Sequence, residues 1–170
     1  YKDWFFIAAD YAFGEALQRD ATAVIESGGG KVVGAVKHPL NTADFSSFVL
    51  QAQSSKSDIV GIANGGSDML NALKATKEFG IDQTMKVASL MLFITDVHSM
   101  GLAGAEGLLF TTSWDWNLND KTREFGRRFY EKAQRMPTEI QAANYSATMN
   151  YLRAVEATKS TDADTIMDWF

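Results

Sequence analysis

Residues 4–14, WFFIAADYAFG, decide the fold class of this chain. The first six of them are all apolar, which is typical of a strand buried on both faces of a parallel sheet. A polar turn follows, and residues 13–26 then repeat apolar side chains with the period of one helix face, up to the glycines at 28–30. A buried strand that leads through a short loop into an amphipathic helix is the building unit of an α/β domain.

The same alternation continues as far as Thr112. Helical patterns occupy residues 44–53 and 68–79. The further apolar segments that we predict as strands are residues 31–36, 59–63, 86–91 and 107–112. Strands alternating with helices predict a doubly wound α/β domain, in which right-handed crossovers place helices on both faces of a parallel sheet.

Beyond Thr112 the pattern becomes helical. A polar and aromatic break at residues 113–117 precedes a helix capped by Asp120 and extending to Arg135. A second helix starts with Pro137 in its first turn and runs to about residue 158, and residues 161–162 cap a third. These extra C-terminal helices are either an extension of one domain or the start of a second lobe.

Composition narrows the classes of function. Hydrophobic residues make up 46% and charged residues 22% of the chain, as in ordinary globular proteins. The net charge of −5 argues against nucleic acid or anionic lipid as a partner. Cysteine is absent, and His38 and His98 have no partner at metal-ligand spacing, so we expect no metal site. His38, beside Pro39, is predicted to lie in a connecting loop.

Local catalytic and cofactor motifs are missing. No G-x-G-x-x-G follows the first strand, and no G-x-S-x-G occurs. We therefore expect no catalytic residues and no cofactor. Because the chain starts in a strand and stops inside a helical pattern, we expect it to be part of a longer protein, and the lack of a signal peptide carries no information.

Four loops follow the predicted strands, and ligands of open α/β sheets gather at this edge. They offer aromatic rings for packing, glycines that let a ligand approach the backbone, and polar groups for hydrogen bonds. The candidate ligand-binding residues are Asp10, Tyr11, Phe13, Asn64, Gly65, Gly66, Phe93, Thr95, Asp96, Trp114 and Trp116.

Each loop also has a purely structural interpretation. Asp10 is a possible N-cap, and Phe13 a residue that packs at the start of its helix. In the second loop, Ser67 or Asp68 is placed to cap the following helix. In the third loop, Thr95 or Asp96 is placed to cap a short helix that ends at Met100. The two tryptophans of the fourth loop form either an exposed aromatic wall or packing between helices.

The order and spacing of several short stretches resemble a known family, the type I periplasmic binding proteins of ABC importers, of the kind that binds branched-chain amino acids. The likeness extends over nearly the whole chain. The stretches are residues 6–14 (FIAADYAFG), 29–34 (GGKVVG), 38–48 (HPLNTADFSSF), 58–61 (DIVG), 79–81 (FGI), 93–97 (FITDV), 105–108 (AEGL), 137–138 (PT) and 142–145 (A-x-x-Y).

The resemblance implies a two-lobed clamp that binds a small solute in the cleft between its lobes. Residues 1–113 would form the second, C-terminal-type lobe, and residues 114–170 would be helices of an incomplete first lobe. The first-lobe sheet is absent, and with it the serine and threonine groups that hold the ligand's α-carboxylate in relatives. The implied partners are the solute and an ABC permease in the inner membrane, and the implied location is the periplasm.

The resemblance also assigns residues. The aromatic residue near the family's Tyr/Phe-Gly turn corresponds to Tyr11 or Phe13, and the ligand-facing loop after the third strand to residues 64–66. The acid that receives an amino acid's ammonium group falls near residues 90–93, where this sequence has none, and Asp96 is the nearest. The implied solute is a branched-chain amino acid or a related or aromatic carboxylate.

The function predicted on this basis is that of the substrate-binding component of an ABC transporter. One alternative is a ligand-sensing domain of a regulator or receptor with the same fold. Another is a Rossmann-like enzyme whose catalytic residues lie outside this chain.

Overall fold

Five parallel strands form the sheet of the first structural unit. The computed structural model describes all residues from Tyr1 to Phe170, in two units, Tyr1–Thr111 and Thr112–Phe170. The strands of the first unit are β1 (Asp3–Ala9), β2 (Lys31–His38), β3 (Ile59–Ala63), β4 (Lys86–Ser89) and β5 (Leu108–Phe110). They are ordered β2-β1-β3-β4-β5, so the chain winds outward from β1 in both directions.

Helices cover both faces of this sheet. They are α1 (Ala12–Ser27), α2 (Ser46–Ser55), α3 (Gly66–Glu78) and α4 (Ile94–Ala105), with one 3-10 turn at Ile81–Gln83. Alternate residues of β1 enter different cores, because successive side chains of a strand point to opposite faces. Ile7 packs with the residues of α2 and α3, whereas Phe6 packs with those of α1. The predicted doubly wound α/β class is confirmed.

Several predicted boundaries of the first unit are wrong. β2 continues to His38, which pairs with Ala9 of β1, so this histidine ends a strand and does not lie in a loop. β4 ends at Ser89, the last of its residues that pairs with β3 and with β5, so Met91 lies in the following loop. The predicted short helix to Met100 is confirmed, because Gly101 breaks the helical backbone of α4 with a φ of 74°, and a further helical segment then runs to Ala105.

The second unit contains three helices: α5 (Asp120–Ala133), α6 (Glu139–Thr158) and α7 (Ala163–Trp169). Asn119 caps α5 by accepting a hydrogen bond from Thr122 N at 3.1 Å, so the prediction of Asp120 as the cap is off by one residue. Thr138 caps α6, and Pro137 precedes the helix instead of lying in its first turn. Asn119 and Thr138 have an extended backbone, which directs the side-chain oxygen toward the free N–H groups of the first helical turn. Proline has no side-chain oxygen and cannot cap a helix in this way.

None of the helices combines the length and the apolar character needed to span a bilayer.

Candidate functional site

Three of the predicted loops meet at Gly65, at the carboxyl edge of the sheet of the first unit. A Cβ placed on Gly65 would lie 3.8 Å from Phe13 Cε1 and 3.6 Å from Met91 Cγ. The loops after β1, β3 and β4 therefore close around one residue that has no side chain. Sequence reasoning missed Met91, because an apolar residue at the end of an apolar run gives no signal that the strand has already stopped.

The loop after β1 presents two aromatic rings. The centroids of Tyr11 and Phe13 lie 5.9 Å apart with an interplanar angle of 32°. Tyr11 is 38% exposed, and Phe13 is half-buried. Tyr11 is the N-cap residue of α1 but makes no side-chain cap, and Asp10 does not cap the helix either. The two rings together form an aromatic surface that a planar or branched apolar solute could contact.

Asp10 is engaged by a cation of the neighbouring strand. Lys37 Nζ lies 3.4 Å from Asp10 Oδ1 and 2.5 Å from Glu15 Oε1. The hydrogen bonds to Glu15 and then to Asp10 raise the pKa of the Lys37 ammonium. Because all three side chains are about half exposed, water screens this ion-pair group, and it adds little to stability.

The loop after β3 leads directly into the N-terminus of α3. Asn64 is completely buried, Gly65 is the extended N-cap with φ −159°, and Gly66 has a left-handed φ of 62°. Neither Ser67 nor Asp68 caps the helix, contrary to the structural interpretation of this loop. The first N–H groups of α3 therefore have no side-chain acceptor, and such groups suit a carboxylate.

The loop after β4 uses its acid locally. Asp96 Oδ2 accepts a hydrogen bond from Phe93 N at 2.9 Å and so satisfies the backbone at the start of α4. Thr95 lies in the first turn of that helix, and its carbonyl oxygen accepts from Ser99 Oγ. Phe93, Thr95 and Asp96 are all half-buried. Asp96 therefore has a helix-capping role beside any contact that it makes with a ligand.

Three polar side chains are buried near the ends of β2 and β3 and the start of α3, namely His38, Asn64 and Asp68. His38 Nδ1 lies 2.9 Å from Pro39 O, and His38 Nε2 lies 3.0 Å from Asn64 Nδ2. Asp68 Oδ2 accepts from Asn41 N at 3.1 Å. The remaining oxygens, Asn64 Oδ1 and Asp68 Oδ1, are buried and have no hydrogen-bond partner. Sequence reasoning named Asn64 but missed its contact with His38, because it treated His38 as a loop residue.

Both candidate tryptophans belong to the second unit and pack against α5. The Trp114 ring meets Phe125 edge to face at a centroid distance of 5.7 Å. Trp116 lies over Gly126, where an added Cβ would be 3.3 Å from Trp116 Cβ. These contacts support the interpretation of the tryptophans as packing between elements.

Glu139 at the start of α6 joins the 112–113 segment to that helix. Its Oε2 accepts from Ser113 N at 2.6 Å, Ser113 Oγ at 2.7 Å and Thr112 Oγ1 at 2.9 Å. Burial acts to raise the pKa of the Glu139 carboxyl, but the hydrogen bonds from Ser113 and Thr112 outweigh it and hold the pKa below its usual 4.5. Charged Glu139 is thus the form that the second unit stabilises.

Glu139→Gln is expected to flatten the acid limb of the stability profile. Since folding lowers the pKa of Glu139, its contribution is complete above the ordinary pKa of the carboxyl and is lost as the pH falls through the lowered folded value. Thermal unfolding of the full-length protein between about pH 5 and pH 3 measures this. Glu156→Gln, at an exposed position of α6, is the control and should follow the wild type. Parallel profiles for wild type and Glu139→Gln would contradict the assignment.

No three His, Cys, Asp or Glu side chains converge in an arrangement that could hold a metal ion.

The sequence and the fold match those of known proteins. Residues 1–168 match the family model of the periplasmic binding protein. The chain belongs to the periplasmic binding protein family. The resemblance found from the short stretches is thereby confirmed, as is the type I fold. The family and its structural neighbours are solute-binding proteins and not enzymes.

Solved structures of similar chains support the same assignment. A periplasmic binding protein from Burkholderia mallei is 53% identical and superposes with a TM-score of 0.94 over 98% of this chain and 44% of its own. A branched chain amino acid ABC transporter periplasmic ligand-binding protein from Burkholderia xenovorans is 39% identical, with a TM-score of 0.85 over 99% of this chain and 46% of its own.

A more distant relative is an amino acid ABC transporter substrate-binding protein from Pseudomonas fluorescens, 30% identical with a TM-score of 0.86 over 97% of this chain and 45% of its own. The present chain thus spans less than half the length of these periplasmic binding proteins. No curated protein sequence matches the chain.

Proposed function

We propose that this chain is part of the substrate-binding component of an ABC importer and captures an amino acid or an aromatic carboxylate at the carboxyl edge of the first unit. The convergence of Phe13 and Met91 on Gly65, next to the uncapped start of α3, carries the proposal. Such a site combines apolar walls with backbone donors, as small-molecule sites of α/β proteins do. Membership of a family of solute-binding proteins supports it.

Each part of this edge suits a different part of the solute. Tyr11 and Phe13 offer ring surface to a side chain or an aromatic ring. The free N–H groups at the start of α3 suit a carboxylate, because they carry the positive end of the helix dipole. Asp96 keeps Oδ1 for an ammonium or hydroxyl group, since its Oδ2 is used by Phe93 N.

We assign the two parts of the chain to different lobes. In this proposal residues 1–113 form the second lobe, and residues 114–170 are helices of the first lobe, whose sheet lies elsewhere in the longer protein. Exposed apolar side chains on the helices of the second unit suit packing against further chain. They include Ile140, Tyr145, Tyr151, Leu152 and Trp169.

The mechanism that follows is closure of two lobes around the solute. A solute that contacts both lobes binds the closed form more tightly than the open form and so shifts the population toward it. In the importer, the closed form would present the solute to a permease of the inner membrane. The protein would therefore act in the periplasm. Neither step needs chemistry on the solute.

Calorimetric titration of the full-length protein tests the proposal. A panel of branched-chain and other amino acids, together with benzoate-type carboxylates, is expected to contain at least one solute with a dissociation constant in the micromolar range or below, about −8 kcal/mol. The absence of any such solute across both classes would overturn the proposed specificity. Enzymatic turnover of a bound solute would overturn the receptor function.

Tyr11→Ala and Phe13→Ala are each expected to weaken binding of the best solute by roughly tenfold, the equivalent of about 1.4 kcal/mol. The reason is the loss of ring contact at the carboxyl edge. Phe79→Ala is the matched control. Phe79 is about as exposed as Tyr11, but it follows the C-terminus of α3 and so lies away from the carboxyl edge of the sheet. Equal losses for all three variants, measured by calorimetry, would contradict a specific role for the two aromatic residues.

A further inference from the structure

We propose that the first part of α4, residues 94–100, is a movable arm that turns toward α3 when a solute binds, and that Gly101 absorbs the change in backbone conformation. The arm contains Thr95 and Asp96 and follows Phe93 directly, so it bears one side of the candidate site. The motion itself is a property of the fold. Only its link to the solute rests on the proposed function.

α4 is the least buried of the helices that cover the sheet of the first unit. None of its residues is buried, whereas α2 buries Val49 and Ala52 and α3 buries six residues. Val97 and Met100 pack against the core but are only partly buried. A segment with few buried apolar contacts lies at the low end of local stability, where moving elements are found.

No side-chain hydrogen bond or ion pair joins the arm to another element of the first unit. Asp96 Oδ2 accepts a hydrogen bond from Phe93 N at 2.9 Å, and Ser99 Oγ donates to Thr95 O at 2.9 Å. Both contacts lie within the arm and the residue that precedes it. They hold the arm together as one body without fixing it to its surroundings.

α3, by contrast, is tied to three neighbouring segments. Asn71 Nδ2 donates to the carbonyl oxygen of residue 42 at 3.2 Å, in the loop after β2. Ser89 Oγ of β4 donates to Met69 Sδ at 3.1 Å, and Lys77 Nζ donates to Glu106 O at 2.8 Å. α3 is therefore the fixed partner against which the arm can move.

A groove of about 330 Å³ separates the arm from α3. Leu70 and Leu73 of α3 and Met100 and Gly104 of α4 form its apolar lining. Closing the groove would bring these apolar surfaces into contact and remove them from water, which is favourable. The hydrophobic effect therefore supplies a driving force for movement of the arm toward α3.

Gly101 provides a break in the backbone at the end of the arm. Its φ of 74° and ψ of 166° lie in a region that is essentially restricted to glycine. A Cβ on Gly101 would have no neighbour within 4 Å, so the backbone conformation and not crowding calls for glycine here. Hinges are a few such residues at the ends of elements, where large changes in φ and ψ can be absorbed.

The other end of the arm is attached to the core. Leu92, two residues before α4, is buried in the main hydrophobic cluster. Rotation about the line from Leu92 to Gly101 would turn the arm as a body toward α3. Because α3 starts at Gly66, beside Gly65, this rotation would bring Asp96 closer to the start of α3 and narrow the candidate site.

Methyl NMR of the full-length protein, labelled with ¹³C-methyl methionine, tests the motion without any solute. Met100 lines the groove, and Met69, which is buried in α3, is the internal control. Relaxation dispersion is expected to show microsecond-to-millisecond exchange at Met100 and none at Met69. Met100→Leu and Met69→Leu identify the two signals by removing them. A flat profile for Met100 would overturn the proposal.

Ser99→Leu tests whether the exchange reports movement into the groove. Ser99 is exposed and lines the groove, so a leucine would occupy the space that the arm enters. The exchange at Met100 is expected to disappear. Ser47→Leu, at an exposed position of α2 outside the groove, is the matched control and should leave the exchange unchanged. Exchange that persists in Ser99→Leu would show a motion of the Met100 side chain alone and overturn the arm.

Backbone ¹⁵N relaxation dispersion of the full-length protein locates the end of the arm. Exchange is expected at the amides of Ser99 and Met100 and not at those of Leu102 and Ala103, which lie beyond the break. Exchange that continues through Ala103 would overturn the role of Gly101, because all of α4 would then move.

Calorimetry with the panel of amino acids and benzoate-type carboxylates tests the link to the solute. Ser99→Leu is expected to bind the tightest solute of that panel about tenfold more weakly than the wild type, because the arm cannot reach its position against α3. Ser47→Leu should match the wild type. An unchanged affinity in Ser99→Leu would overturn the link. A wild type that binds no solute of the panel would refute the proposed function and the link together, and the NMR results would still decide the motion.

Discussion

Gly14→Ala is expected to destabilise the first unit by about 3 kcal/mol or more, the range of severe overpacking in a core. Gly14 is a buried residue in the first turn of α1, where that helix passes over the end of β1. A Cβ there would overlap Ala9 O and lie 2.8 Å from Ala9 N. Both atoms belong to the backbone of a strand paired on both sides, so neither a rotamer change nor a small shift relieves the clash.

Chemical denaturation of the full-length protein measures this loss. Gly28→Ala is the matched control at the other end of α1, because a Cβ there meets only Val24 O at 3.4 Å and Ile25 O at 3.5 Å. Its backbone φ of −81° is also one that alanine adopts readily. We expect the control to remain within about 1 kcal/mol of the wild type. Similar midpoints for the two variants would show that α1 can move away from β1.

Gly65→Val is expected to lower solute affinity on the order of 100-fold while leaving the fold intact. The Cβ itself fits, with its nearest neighbours at 3.6 and 3.8 Å, and φ of −159° is an extended value that valine favours. The methyl groups would then occupy the gap between Phe13 and Met91, which is the space that we assign to the solute. Affinity and stability should therefore separate in this variant.

Calorimetry and thermal unfolding of the same sample check that separation. Gly65→Ala is the graded comparison and should lose less affinity than the valine variant, because it adds one methyl group. A wild-type dissociation constant in Gly65→Val would remove Gly65 from the binding surface. A large fall in its unfolding temperature would instead show that the gap belongs to the core.

The elements of the sheet could be predicted because each is encoded locally. Residues 4–9 form an uninterrupted apolar run, and they lie in β1, an interior strand that pairs with β2 on one side and β3 on the other. The helical patterns after them correspond to α1, α2 and α3 within a few residues. The errors lie at the ends of the helices and strands. For example, the cap of α5 is Asn119 and not Asp120, because asparagine and aspartate are almost equally good N-cap residues.

The sequence predicts the candidate site as four loops, but it does not show which of their side chains are free to contact a solute. The sequence does not show that Asp96 is used to cap α4 or that Asp10 lies beside Lys37. Nor does it place Met91 against Gly65, 26 residues earlier in the chain. Such contacts depend on strand order and on where each strand stops.

The sequence by itself determined the parallel α/β class and the family to which the chain belongs, and it predicts the edge of the sheet at which a ligand would gather. These follow from hydrophobic periodicity and from the order of short stretches, which are properties of neighbouring residues. Only the tertiary structure decided that His38 ends a buried strand and meets Asn64 and that the loops converge on Gly65. The packing of the sheet and its helices brings polar residues from distant segments together. Such contacts produce no periodic pattern in the sequence.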